Sequence, residues 1–445
     1  MTPIERRTSF TLAGVFGLRM LGMFIILPVF ALYAETLPGG DDHRLVGIAL
    51  GAYGLTQALL QIPFGWLSDR WGRKPTIFMG LTIFAIGSFV AASADSIGMV
   101  VLGRVLQGAG AISAAVIALT ADLTREEVRT KAMAIIGITI GLTFALSMVL
   151  GPVLSRVIGV PGIFAMTGVL ALGAIALVYA RIPDPPPLVV PAGPVRFGPV
   201  LRDRELMRLN LGIFVLHAVL MALFVVIPFS LRSSGLEAEA HWQVYLPVMI
   251  GAVALMAYPV SASERGGWQK LAFVGSVAVL ALSEAIMAFG GASLPWLVVG
   301  LLVFFTVFNL LEALLPALIS RNAPPESKGI ASGVYATLQF LGAFVGAVTG
   351  GWLSQAYGAG AVFMFCGALT GIWLLATFGM IVPVTRTLPL PPMDDSRARG
   401  LQSRLRALPG VRNARLVPGE GVARLDVDRA GFDEDNAMKL IHGET

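Results

Sequence analysis

Residues 65–75 read Gly-Trp-Leu-Ser-Asp-Arg-Trp-Gly-Arg-Lys-Pro and lie between two long apolar runs, 45–66 and 76–94. A helix needs about 20 mostly apolar residues to cross the hydrocarbon core of a bilayer, and each run is close to that length. The segment between them carries an acid and three basic residues, so it cannot be buried in lipid. It is therefore predicted to be a short loop between two membrane-spanning helices.

The same alternation of apolar runs and short polar loops continues along the whole chain of 445 residues. The chain is 56% hydrophobic and only 13% charged, with a mean hydropathy of +0.78, whereas a soluble domain carries about 25% charged residues. We therefore expect an all-α membrane protein with twelve transmembrane helices, and not a soluble enzyme. The predicted spans are 10–34, 45–66, 76–94, 98–121, 132–154, 162–181, 207–231, 243–262, 271–291, 295–319, 329–351 and 359–383.

Basic residues are concentrated in the loops on one side of these spans, whereas the opposite loops hold only Arg44, Arg156 and Arg232. The positive-inside rule then places both termini in the cytoplasm, as expected for a multi-pass protein of the bacterial inner membrane. Cys366 is the only cysteine, which excludes disulfides and cysteine metal clusters, and the four histidines lack ligand spacing. We expect no metal, no cofactor and no nucleic-acid partner.

The spans fall into two similar halves. The proline-rich stretch 183–194 begins a predicted linker, 183–205, between six-helix bundles at 1–182 and 206–385. The pattern Phe-hydrophobic-hydrophobic-hydrophobic-Pro ends at both Pro28 and Pro228 in equivalent spans. Within the halves, residues 47–57 of the second span are similar to 329–339 of the eleventh, which indicates repeats nested in each half.

The composition becomes polar in the tail, 386–445. Residues 401–408 have helical spacing, 414–416 and 423–427 alternate as strands do, and 432–441 suggest a second helix. The predicted order is α-β-β-α, and a disordered tail is the alternative.

The loop 65–75 resembles the signature G-x-L-x-D-R-x-G-R-[KR] of the major facilitator superfamily. The resemblance implies two helix bundles that rock about a central cavity. It also implies a cytoplasmic gate in which Asp69 faces the start of the eleventh span and shares charge with Arg73 and Asp122. The gate residues are Gly65, Asp69, Arg70, Gly72, Arg73 and Asp122. The alternative is a basic loop that only sets the topology.

Span 4 resembles the second signature of the superfamily, R-x-x-Q-G, at residues 104–108. Span 5 matches the antiporter signature only in part, because Ser147 replaces its first glycine and the final pair of glycines is missing. Together with motifs in spans 1, 10 and 11, these features resemble the drug:proton antiporter group. That group implies proton-driven efflux and a cytoplasmic ferredoxin-like domain of βαββαβ order. Its first strand is not obvious here and its last is missing, so we expect a truncated domain or one completed by another chain.

Few ionisable groups lie inside the predicted spans. Spans 1, 4, 7 and 10 line the cavity in this family, so Glu312 is expected to carry a proton with His217 as its partner. A fixed pair that joins two helices is the alternative, and Glu284, near a span end, is interpreted as structural. The predicted cavity and substrate residues are Arg19, Arg104, Gln107, Asn309, Tyr53, Gln57, Tyr335 and Gln339.

The sequence therefore predicts a monomeric, proton-coupled secondary transporter that exports a small amphipathic compound by alternating access through the lipid bilayer. Uptake by symport or facilitated diffusion is one alternative. A membrane sensor that signals through its tail is an alternative of another class. No Ser/His, Cys/His or paired-Asp pattern suggests an enzyme.

Overall fold

The computed structural model describes residues 1–185, 197–266, 269–290, 293–323, 327–380, 384–428 and 431–442. Residues 186–196, about half of the predicted linker, lie outside this part of the chain. The described chain is mainly α-helical, with one small sheet near its C-terminus. The helices of the first half are α1 (Pro3–Phe24), α2 (Leu27–Ala34), α3 (His43–Trp71), α4 (Arg73–Ala92), α5 (Ile97–Ala109), α6 (Ser113–Asp122) and α7 (Glu126–Arg181).

Two predicted spans of this half are broken rather than continuous. The first consists of α1 and α2, which are separated just before Pro28, a residue that lacks a backbone N–H donor. The fourth consists of α5 and α6, separated at Gly110. Both breaks fall inside apolar segments, so their backbone groups are shielded from lipid by neighbouring helices.

Helix α7 is too long to cross a bilayer once. Its apolar segment Lys131–Arg181 has 51 residues, which as one straight helix would measure about 77 Å against a hydrocarbon core of about 30 Å. The helical backbone is interrupted at Gly159, where φ is +69° and ψ is 170°, a conformation that favours glycine. Thr139, before this break, lies against α1, and Gly168, after it, lies against α4.

The second half contains the short helix α8 (Gly198–Arg202), followed by α9 (Arg204–Ser233), α10 (Trp242–Gly266), α11 (Gln269–Gly290), α12 (Leu294–Asn322), α13 (Lys328–Tyr357) and α14 (Ala359–Thr377). Ten segments of the described chain are long and apolar enough to span a membrane. Large apolar side chains, such as Val157, Tyr179 and Phe289, are exposed on their outer surface, as expected for a surface that faces lipid.

Helix α13 packs closely on α9 through a series of glycines, Gly342, Gly346 and Gly350. A Cβ at Gly346 would overlap the carbonyl oxygen of Ala218, and a Cβ at Gly342 would overlap that of Phe214. Small residues at every fourth position let two backbones touch, so these glycines allow the two helices to pack closely.

The tail forms a small domain with its own apolar core, which includes Leu388, Leu405, Leu425 and Ile441. Its elements are β1 (Val384–Pro389), α15 (Asp395–Arg406), β2 (Val411–Val417), β3 (Val422–Val427) and α16 (Glu434–His442). The strand order is β1-β3-β2, and both pairings are antiparallel. The predicted α-β-β-α order is thus found after one further strand, and the disordered alternative is wrong for the described tail.

Candidate transport site

The polar loop between α3 and α4 holds an ion-pair network centred on Arg73. Its guanidinium pairs with Asp69 and, at 2.9 Å, with Asp122 at the end of α6; it also donates a 3.1 Å hydrogen bond to Ser68. Gly72 ends α3 with φ at +106°, a conformation that side-chain-bearing residues rarely adopt. The structure therefore brings Asp69, Arg73 and Asp122 together. We call this end of the bundle the Arg73 side.

The other two residues of the predicted gate lie beside this network. The Arg70 guanidinium carbon lies 4.5 Å from the centre of the Trp66 ring. Gly65 faces Ala114 of α6, where a Cβ would be 3.6 Å away, so the close approach expected at Gly65 is to its own half.

The expected contact of Asp69 with α13 is not formed. Its side chain is 49% exposed, and no hydrogen bond or ion pair joins it to the described residues of α13. Elsewhere along the two antiparallel helices, Gly47 of α3 packs on Ala347. Eighteen residues further along α3 and eighteen residues back along α13, the same register would pair Gly65 with Gly329. A Cβ at Gly329, however, would meet no described atom within 4 Å. At this register the halves are therefore apart on the Arg73 side, and the approach of Asp69 to α13 stays a prediction for a conformation in which this side is closed.

The opposite end of the bundle is closed by contacts between the halves. Arg232 forms two hydrogen bonds with Glu35, at 2.6 and 2.8 Å, and this ion pair lowers the pKa of the Glu35 carboxyl below its ordinary value. His43 stacks on Phe229 with ring centres 4.5 Å apart, and its Nδ1 lies 2.8 Å from the Ser354 hydroxyl. We call this end the Glu35 side, and these contacts the Glu35 clasp.

The Glu35 clasp was not predicted from the sequence, although a signal was present. Glu35 directly follows the first predicted span, 10–34, and Arg232 directly follows the seventh, 207–231. The two residues therefore lie at the same end of equivalent spans. Such positions are brought together near the axis that relates the halves, and opposite charges there predict an ion pair.

Two predicted cavity arginines share one aromatic ring in the first half. The guanidinium carbons of Arg19 and Arg104 lie 5.9 and 4.8 Å from the centre of the Tyr53 ring. Arg19 donates to the Gln57 side-chain oxygen, and Arg104 donates to Gln107 at 2.9 Å. All five side chains are at most 2% exposed. The structure therefore brings these predicted residues into one buried arginine cluster.

A second group of predicted residues surrounds Glu312 in the other half. His217 Nδ1 lies 3.5 Å from Glu312 Oε1, and His217 Nε2 lies 2.8 Å from the Gln339 amide nitrogen. An amide nitrogen only donates, so Nε2 accepts and a neutral His217 carries its proton on Nδ1, the ring nitrogen 3.5 Å from Glu312 Oε1. Tyr335 is buried, and its hydroxyl has no partner in the described chain. Asn309 donates a 2.7 Å hydrogen bond to its own helix.

A layer of phenylalanines separates Glu312 from the Glu35 side. Neighbouring rings have centres 5.0 to 6.5 Å apart, and α1 and α7 of one half meet α9 and α12 of the other. The phenylalanine layer consists of Phe24, Phe144, Phe224, Phe305 and Phe308. Each member is at most 7% exposed, whereas the Glu312 side chain is 29% exposed. Along α12, Glu312 lies between the layer and the Arg73 side.

Glu284 lies apart from this group, on α11 against Gly367 of α14. It is fully buried, and neither carboxyl oxygen has a hydrogen-bond partner in the described ranges. The structure therefore separates the two intramembrane carboxyl groups of the second half.

The sequence model of the Major Facilitator Superfamily matches residues 12–347 and 273–418 of the chain. The chain belongs to the major facilitator superfamily. Proteins of this family are transporters and not enzymes, so the chain is a membrane transporter. The resemblance seen in loop 65–75 is thereby confirmed at the level of the family.

Individual relatives agree with this assignment. The chain is 44% identical over 368 residues to "Inner membrane transport protein YajR" of Escherichia coli K12, which covers 82% of this chain and 81% of that protein. It is 26% identical over 346 residues to "Multidrug resistance protein MdtH" of Aeromonas hydrophila, covering 75% and 84%. The fold is similar to that of a bacterial homolog of the human lysosomal transporter Spinster in an inward-facing and occupied conformation. That likeness has a TM-score of 0.71 at 15% identity and covers 85% of this chain and 97% of the other.

Proposed function

We propose that this transporter exports a small amphipathic compound across the bacterial inner membrane in exchange for protons, by alternating access. Twelve spans form the two halves in this proposal, with α7 crossing twice around Gly159. The Arg73 side and both termini face the cytoplasm, because basic residues are concentrated in the loops of that side. The names of YajR and MdtH favour the inner membrane and efflux.

The separation of Gly65 from the start of α13 and the closed Glu35 clasp correspond, in this orientation, to an inward-facing state. The Asp69–Arg73–Asp122 network is then the inner gate, and Asp69 reaches α13 only when the halves close on that side. Residues at the phenylalanine layer would form the wall against which an apolar part of the substrate packs.

The contact of His217 with Glu312 is the observation that carries the proton-coupling proposal. A carboxyl group in apolar surroundings favours its protonated form, and a hydrated one releases its proton more readily. Glu312 would take a proton while the site faces outward and release it toward the cytoplasm through its 29% exposed side. After Glu312 has released its proton and become charged, the site would bind substrate for the outward step.

The test is transport in proteoliposomes with an imposed pH gradient, using a panel of amphipathic compounds. Glu312→Gln keeps the size of the side chain and removes the exchangeable proton, so we expect gradient-driven transport to be abolished. Glu284→Gln is the matched control, because it changes the other intramembrane carboxyl group of the second half, which lies apart from His217. A normal rate in Glu312→Gln would show that this residue does not carry the proton. Counterflow assays distinguish export from uptake by symport or facilitated diffusion.

A second candidate function is a sensor that signals through the tail, and the contact of β2 with α12 favours it. In this view the tail is a cytoplasmic ferredoxin-like domain, of which the described residues form three strands in the order β1-β3-β2. Deletion of residues 384–445 should leave transport intact if the protein is a transporter. A sensor would lose its cellular function on this deletion, and the purified protein would move no solute.

A further inference from the structure

Ionisable groups of opposite sign are segregated between the two halves of the membrane domain. In the first half, residues 6–34, 43–68, 73–94 and 96–121 contain no aspartate or glutamate, and neither does 128–181. Arg19 and Arg104 lie within these apolar stretches, whereas the intramembrane carboxyl groups, Glu284 and Glu312, belong to the second half.

The two arginines have incomplete hydrogen bonding. Arg19 donates to the Ser113 hydroxyl at 2.7 Å and to Gln57, and Arg104 donates to Gln107, so every partner is neutral. Arg19 Nε, Arg104 Nε and Arg104 Nη2 are buried and have no partner in the described chain. No described carboxylate lies within 4.0 Å of either guanidinium, although a buried cation without a counter-charge is strongly destabilising.

The arginine cluster lies at the boundary along which the halves move. Tyr53, whose ring both guanidiniums approach, contacts Phe340 of α13 with ring centres 6.4 Å apart. The adjacent residue, Gln339, holds His217 beside Glu312. The cationic cluster and the Glu312 group are therefore connected through two consecutive residues of α13.

We propose that the transported compound is an organic anion, whose acidic group, a carboxylate or a similar oxyanion, is held by Arg19 and Arg104. This inference deepens the proposed function and rests on it for the transport step. The free guanidinium N–H groups would donate to the anion, since charge-assisted bonds of this kind are stronger than those to neutral acceptors. The apolar part of the anion would pack on Tyr53 and the phenylalanine layer. Arg19 and Arg104 together carry two positive charges, so the site would still attract an anion after Glu312 has released its proton.

The test measures equilibrium binding to the full chain in lipid nanodiscs without any pH gradient. The probes are benzoate, 2-naphthoate and 9-anthroate, each paired with its uncharged amide of nearly the same shape. We expect at least one carboxylate to bind about 10-fold or more tightly than its amide, the effect of one charge-assisted hydrogen bond. Arg104→Gln and Arg19→Gln should remove this preference, and Arg104→Lys should keep part of it. Arg156→Gln, an exposed arginine on α7, is the control that keeps the preference.

If no carboxylate binds more tightly than its amide, or if the preference survives both glutamine variants, the proposal is overturned. Thermal unfolding of each variant separates lost binding from lost folding, and the lysine variant keeps the test decisive if a glutamine variant fails to fold. Because binding is measured without a gradient, failure here leaves the Glu312→Gln transport test unaffected.

Discussion

The single guanidinium of Arg73 pairs with two carboxylates from different helices. Its planar group presents several N–H donors in fixed directions, so it can bond Asp69 and Asp122 at once. A lysine ammonium keeps the charge but is a compact point with a flexible stem, so it would hold the two acids less well. The neighbouring Arg70 lies over the Trp66 ring and bonds neither acid in the described chain.

We expect Arg73→Gln to lower the transport rate about 10-fold or more, because two charged acceptors lose their donor. Arg73→Lys should retain an intermediate rate. Arg70→Gln, in the same loop, should transport at close to the normal rate. Initial rates in proteoliposomes, normalised to reconstituted protein, provide the measurement. Equal losses in Arg70→Gln and Arg73→Gln would mean that the loop needs only its positive charge.

Sequence could predict the Arg73 network because its motif is nearly contiguous and its third member, Asp122, ends a recognisable span. The partners of Arg19 could not be predicted in the same way. Gln57 and Ser113 are distant in sequence and come from two other helices, and nothing in their spacing selects them. The contact of Asp69 with α13 could not be predicted either, because it depends on the conformational state.

At the scale of elements, the packing of α13 on α9 depends on glycine at positions where the backbones touch. We expect Gly346→Val to destabilise the protein by about 1–3 kcal/mol, because the side chain would overlap the Ala218 backbone. Gly371→Val, in α14, is the matched control, since a Cβ there meets no described atom within 4 Å. Thermal unfolding of the two variants in the same detergent provides the comparison. Equal melting temperatures would contradict the close α9–α13 contact.

The apolar runs predicted most helices, because length and hydropathy are enough to identify a membrane span. They did not predict the breaks at Ile25–Ile26 and Gly110–Ile112, because both fall within continuous apolar segments. Strand β1 was missed because Val384 follows an apolar span directly and only Leu388 of the strand is fully buried. Its sequence therefore lacks the alternation by which β3 was recognised.

At the scale of the whole molecule, the Glu35 clasp holds one side of the bundle closed. Exposed ion pairs are worth about 0.2–1 kcal/mol, so we expect Glu35→Gln to raise the open-to-closed ratio of that side about 1.5- to 5-fold. Asp42→Asn is the control, because Asp42 pairs with Arg44 within its own half. The accessibility of a single cysteine at the clasp to a polar thiol reagent gives the ratio. The same ratio in both variants would show that the ion pair does not hold the halves together.

The clasp also predicts a dependence on pH. Arg232 lowers the pKa of Glu35 below the ordinary value of 4.5, so the pair contributes fully above that value. Its contribution is lost as the pH falls through the lowered pKa. Titration of Glu35 should therefore not open this side at pH 5.5, and opening from this cause should begin only below about pH 4.5. The same reagent assay across pH 3.5–7.5 provides the measurement, and Glu35→Gln should lack this transition.

The conformational state could not be predicted from the sequence. The same chain adopts both states of an alternating-access protein, and the free energies of the two states differ only slightly. The two halves could be recognised from repeats such as those ending at Pro28 and Pro228. Their relative position could not, since the contacts that fix it, such as His43 with Phe229, join residues with no local pattern between them.

The most direct test of alternating access is a pair of distances measured by spin labelling in Cys366→Ala protein, which lacks the only cysteine. One label pair, at Thr36 and Ser233, reports the Glu35 side; the other, at Trp71 and Ser320, reports the Arg73 side. When the pH is lowered from 8 to 5.5 in nanodiscs, we predict that one distance lengthens while the other shortens. Proton-linked alternating access requires this, because one side opens as the other closes. Two distances that lengthen together, or that stay fixed under both conditions, would contradict proton-linked alternating access.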